Sequence, residues 1–150
     1  MNLVVKNFSS QNVVLTRHIG KYQGCKIAWD FLIDWQMKAN FQPLGAIGIG
    51  YDNPDVIKDC RYDACFILPE NFDDKLITGN VKVQKINAIE KCITAIHKGS
   101  YAKLGEFYDE FFKSLNKNSY EINLPCYEMY LNSPVNTKEE DLLTEVYIKI

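Results

Sequence analysis

A chain of 150 residues has room for one domain with a real hydrophobic core, and it carries no low-complexity run that would argue for disorder. Its composition, 47% hydrophobic and 24% charged, is that of a globular protein, and a net charge of −2 argues against the basic surface that nucleic acid requires. No run approaches the roughly 18 apolar residues of a membrane span, and the N-terminus lacks the pattern of a signal peptide, so a cytoplasmic protein without membrane contact is expected. The cysteines, Cys25, Cys60, Cys65, Cys92 and Cys126, are odd in number and contain no Cys-x-x-Cys, and neither histidine stands at ligand spacing from them. Buried thiols in a reducing compartment are predicted, with no metal and no cofactor.

The elements follow in chain order. Residues 3–7 predict an edge strand. The β-branched run 13–17 predicts a second strand, closed by His18-Ile19-Gly20. A helix follows over about 22–38, with Cys25, Ala28, Trp29, Leu32, Ile33 and Trp35 as its apolar positions, and it has ended by Pro43. Strands at 44–51 and 62–68 are joined by the turn Asp52-Asn53-Pro54-Asp55. The glycines of the first pack backbone closely and do not form a phosphate loop. A polar connector over 70–78 leads to an edge strand at 81–86. Residues 92–96 again read as a strand, closed by His97-Lys98-Gly99. A helix over about 101–115 has Leu104, Phe107, Tyr108, Phe111, Phe112 and Leu115 at steps of three and four. Strands at 126–131 and 143–150, joined through Asn132-Ser133-Pro134, complete the chain.

The second series repeats the first. An offset of 79 residues lays His18-Ile19-Gly20-Lys21-Tyr22 on His97-Lys98-Gly99-Ser100-Tyr101, so both contain H-x-G-x-Y. The same offset lays Trp29 on Tyr108, Ile49 on Glu128 and Tyr51 on Tyr130. The expected fold is α+β: one domain over 1–150 with pseudo-repeats at about 13–68 and 92–150. Each repeat is strand-helix-strand-strand, and together they form an antiparallel sheet with two helices on one face and a ligand groove between them.

Strand alternation puts Cys126, Glu128 and Tyr130 on one side of their strand. Glu128 is a carboxylate in an aromatic, apolar setting, and the isoleucine at the matched position indicates that the fold does not need a charge there. Such a group either pairs near the surface or is held ready for a cationic ligand, which aromatic walls would favour. The candidate walls are Trp29, Tyr51, Tyr108, Tyr130 and Tyr147. The two histidines sit at equivalent turns, so duplication accounts for them without catalysis.

The stretches Ala28-Trp29-Asp30, Gly50-Tyr51-Asp52-Asn53-Pro54, Arg61-Tyr62-Asp63-Ala64-Cys65, His97-Lys98-Gly99-Ser100-Tyr101, residues 125–134 and Glu145-Val146-Tyr147-Ile148 resemble the GyrI-like effector-binding domain, in family order and over nearly the whole chain. The resemblance implies the duplicated fold with its groove, a functional glutamate at Glu128, the aromatic of the last strand at Tyr147, and the lysine of H-K-G-x-Y at Lys98. Lys149 stands where a proline is common. Such domains often form the effector-sensing half of AraC-type or MerR-type regulators, but this chain leaves no room for a helix-turn-helix before Val13 and resembles free-standing members. Three functions stand open. The first is a module binding amphipathic, cationic small molecules. The second is a hydrolase of strained, cyclopropanoid-type electrophiles with Glu128 as general base. The third is a protein-interaction module such as a gyrase inhibitor. A protein partner or a homodimer remains open as well.

Overall fold

The patterns of two and of three to four resolve into eight strands and two helices, an α+β fold, in a computed structural model that describes residues 1–150. In chain order these are β1 (Val4–Phe8), β2 (Gln11–Gly20), α1 (Lys26–Ala39), β3 (Gly45–Gly50), β4 (Cys60–Ile67), β5 (Lys82–Ile86), β6 (Ile89–Lys98), α2 (Leu104–Lys117), β7 (Asn123–Tyr130) and β8 (Leu143–Lys149). The chain forms two compact units: a first unit, Ser9–Ala88, and a second unit, Met1–Phe8 with Ile89–Ile150.

In the first unit the strand order is β3-β4-β2-β5, antiparallel throughout. Helix α1 covers one face, burying Ala28, Leu32 and Trp35 against Val14, Tyr62 and Ala64. It stops at Asn40, whose left-handed backbone (φ 52°) lets its N–H donate to the Gln36 carbonyl at 2.9 Å. In the second unit the order is β1-β6-β8-β7, again antiparallel. Its core sets Phe107, Phe111 and Leu115 of α2 against Ile93, Ala95, Cys126, Val146 and Ile148. Both helices open one 3-10 turn later than their sequence spacing suggests, after Tyr22–Gly24 and Tyr101–Lys103.

The two H-x-G turns make the same histidine contact. His18 Nε2 lies 2.9 Å from the Lys21 carbonyl and His97 Nε2 lies 2.9 Å from the Ser100 carbonyl. Gly20 (φ +148°) and Gly99 (φ +127°) adopt a backbone that other residues rarely accept. Each histidine ring therefore holds its own strand-to-helix turn.

The edge strands at 3–7 and 81–86 precede the first and the second copy in the chain, but neither pairs with the copy that it precedes. Instead β1 pairs with β6, and β5 pairs with β2. Short links, Ser9-Ser10 and Asn87-Ala88, separate each from the strand that follows it in the chain.

The register of the repeat needs correction. His18 faces Tyr62 and Tyr62 faces Gly50, whereas His97 faces Thr144 and Thr144 faces Tyr130. Counted from the matched histidines, Tyr130 corresponds to Gly50 and not to Tyr51. By the same count Glu128, which faces Val146, corresponds to Gly48, which faces Ala64, and not to Ile49. One residue of slip transfers every side chain to the other face, and the pairing of β7 is irregular between Asn123 and Tyr127.

Candidate functional site

Glu128 stands on the helix side of the second unit. It shares that face of the sheet with Val146, a core residue under α2. Tyr108, one residue after core Phe107, reaches down from α2 and donates its hydroxyl to Glu128 Oε1 at 2.7 Å. Tyr130, two residues along the same strand, donates to Oε2 at 2.6 Å. Each carboxylate oxygen thus accepts one phenolic hydrogen bond. The rings are braced in turn. Tyr130 meets Tyr101 edge-on with centroids 5.5 Å apart, and Tyr108 packs on Phe107 and Phe112 at 6.0 and 5.7 Å.

Lost hydration holds the Glu128 carboxyl above the ordinary glutamate range, and the bonds from Tyr130 and Tyr108 and the nearby His97 offset this only in part. The residue is nevertheless half-buried and retains contact with solvent. A carboxyl that is enclosed but reachable lacks some of the solvation a charge demands, and a cation brought alongside supplies it. Its field also acts on its surroundings: burial first and then Glu128 push the Cys126 thiol up to about 12, and the same two causes raise Tyr101.

The sequence-predicted residues divide into distinct environments. Glu128, Tyr108 and Tyr130 come together in the second unit. Tyr147 does not join them: it faces Tyr127 on the opposite side of the sheet and donates to Glu145 Oε2 at 2.8 Å. The parity of β8 relative to β7 decides this, since Val146 and not Tyr147 lies across from Glu128.

The first unit holds the other two. Tyr51 donates to Asp63 Oδ2 at 2.7 Å, and its ring lies 5.0 and 5.4 Å from the guanidinium carbons of Arg17 and Arg61. The protein's own cations already lie against that ring. Trp29, at the helix position matching Tyr108, donates its indole N–H to Tyr62 at 3.0 Å and packs edge-on against Phe66.

Sequence reasoning missed Tyr101 as part of the Glu128 surroundings. Its H-x-G-x-Y position was a signal, since the matched Tyr22 is also placed by its turn, donating to the Asp52 carbonyl at 2.6 Å. The buried carboxylates Asp63 and Glu145 were missed too. Lys98, singled out from the motif, points to Asp141 at 3.4 Å with both side chains exposed.

The family described as GyrI-like small molecule binding domain matches residues 1–150. A DNA gyrase inhibitor of Escherichia fergusonii is 30% identical over 112 residues, which is 72% of this chain and 72% of that protein. Among solved structures, the EcmrR–DNA complex superposes with a TM-score of 0.80 at 21% identity, covering 99% of this chain and 58% of EcmrR. The chain thus spans somewhat over half of that regulator's length. SAV2435 bound to tetraphenylphosphonium superposes with a TM-score of 0.65 at 15% identity, over 99% of this chain and 93% of that one. No helix is long and apolar enough to cross a membrane.

Proposed function

We propose, from the premise that this chain belongs to the GyrI-like small molecule binding domain family, that it binds amphipathic organic cations with Glu128 as the charged anchor and Tyr108, Tyr130 and Tyr101 as aromatic contacts. The observation that carries this reading is the pair of phenolic hydrogen bonds to one half-buried carboxylate, at 2.7 and 2.6 Å. They fix the position of the charge without neutralising it, and no lysine or arginine is paired with Glu128.

The two bonds also bear on ligand chemistry. Each oxygen already accepts a donor, so a cation without N–H groups, whose charge is spread over an apolar body, loses little by failing to donate. Aromatic rings beside the carboxylate suit such an ion. Tetraphenylphosphonium, the compound bound in the structure of SAV2435, has this character and serves as a probe.

The test is calorimetric titration of tetraphenylphosphonium into the native protein and into Glu128→Gln. The amide keeps the shape and removes the charge. Loss of a charge-assisted contact is expected to weaken binding by about 1–3 kcal/mol. Equal affinity in the two proteins would refute Glu128 as the anchor.

A further inference from the structure

The second unit contains another buried carboxylate, on the sheet face away from α2. Glu145 of β8 is 4% exposed. Its Oε2 accepts the Tyr147 hydroxyl at 2.8 Å. Its Oε1 lies 2.5 Å from Lys6 Nζ, an ionic contact without a directed hydrogen bond. The same ammonium sits 5.6 Å from the centre of the Tyr147 ring, and Phe8 meets that ring edge-on at 5.2 Å. An acid and an aromatic face thus surround one cation, and that cation is a side chain of the protein itself.

The duplicated fold supplies an internal comparison. Arg17 faces Asp63 in the first unit as Ile96 faces Glu145 in the second. In the first unit Arg17 donates twice to Asp63, at 2.8 and 3.1 Å, from the central strand β2, and Asp63 is wholly buried. In the second unit that place is taken by isoleucine. The counter-charge comes instead from Lys6 on the edge strand β1, whose side chain is 40% exposed. Beside it lies a cavity of about 360 Å³, lined near Glu145 and Lys6 by the apolar side chains of Met1, Val4 and Ile96, with Lys98 and Glu110 also on its wall. Arg17 is as exposed as Lys6. What sets Glu145 apart from Asp63 is that its lysine comes from an edge strand, makes no paired hydrogen bonds like those of Arg17, and stands next to open volume.

We infer that Glu145 and Tyr147 form a second cation site, filled by Lys6 in the free protein, which takes organic ammonium ions bearing N–H donors and a short apolar tail. The requirement for donors separates it from Glu128: both Glu128 oxygens already accept phenolic hydrogen bonds, whereas Glu145 Oε1 is met by the N–H-bearing ammonium of Lys6, which a ligand ammonium would replace. The tail is assigned to the apolar wall of the cavity. Lys6 acts as a tethered competitor, so binding is weakened by the fraction of time that its ammonium occupies the site.

The experiment is a calorimetric titration with phenethylammonium chloride, run in a Glu128→Gln background so that the other acid cannot respond. Tetramethylammonium, which has no N–H, is the control. Saturable binding of phenethylammonium is expected, falling about tenfold or more when Glu145→Gln is added and tightening about tenfold when Lys6→Met is added instead. Tetramethylammonium should bind more weakly than phenethylammonium. Absence of binding, equal binding with and without Glu145→Gln, or equal response to the two ions would overturn the assignment. So would a folded Lys6→Met protein that binds no more tightly. Should Lys6→Met not fold, the Glu145→Gln comparison decides alone.

Discussion

Glu128 and its two tyrosines make predictions that depend on proton balance. In the folded protein the carboxyl titrates above its ordinary value of 4.5, because lost hydration outweighs the hydrogen bonds. A folded value above the unfolded one means that the native state holds its proton longer. The stability this contributes is fully present below the unfolded value and is lost as pH rises through the folded one. Glu128→Gln should therefore match the native protein in unfolding midpoint near pH 4 and equal or exceed it at pH 8. A native protein that is the more stable of the two only at pH 8 would contradict this sign. Tyr108→Phe acts in the opposite sense, because it removes a donor to Oε1. It should cost about 1–2 kcal/mol at pH 8 and less at pH 4, measured by urea unfolding at both. Part of this site was legible beforehand. The period of two placed Glu128 and Tyr130 on one side, and the helix spacing marked Tyr108. Tyr147 was not placed correctly, because which residues of β8 stand across from β7 is a pairing choice that neither strand's own sequence contains.

At the scale of elements, the H-x-G turns and the helix cores carry separate loads. Gly99→Ala forces a side chain onto a φ of +127° and should lower stability by roughly 1–2 kcal/mol. His97→Ala should act at the same turn by removing the contact to the Ser100 carbonyl. Their effects should fall short of additive in a double-mutant cycle, since both act on one turn. Phe111→Ala in α2 removes a fully buried ring and should cost about 3–5 kcal/mol by chemical denaturation. These elements were readable because β-branched runs and steps of three and four are local signals. The repeat was readable because His18 and His97 perform the same contact. The slip that matches Tyr130 to Gly50 was not read: Pro125 marks the irregular pairing near the start of β7, but one proline does not say by how many residues the register moves. Its consequence is functional. Where the first unit has Gly48 and Gly50, the second carries Glu128 and Tyr130, so the proposed chemistry belongs to one copy of the duplicated unit.

For the whole molecule, composition and charge bounded the class, and the family match over residues 1–150 agrees with the resemblance seen in the motifs. The partners of the edge strands lay beyond reach, because a short strand can border any open edge and only tertiary packing selects one. Since β1 belongs to the unit of β6 and β8, deleting residues 1–8 should unprotect the amides of β6 in hydrogen exchange and leave those of β3 and β4 less affected. A net charge of −2 also predicts no salt-sensitive association with duplex DNA in a fluorescence titration. The central claim, a charge kept ready for an organic cation, is tested most directly by carbon-13 NMR of the Glu128 side-chain carboxyl, titrated against pH with and without tetraphenylphosphonium. The account predicts an apparent pKa above the ordinary glutamate value in the free protein and a fall when the cation is bound. A titration curve that tetraphenylphosphonium leaves in place, under conditions where it binds, would contradict it.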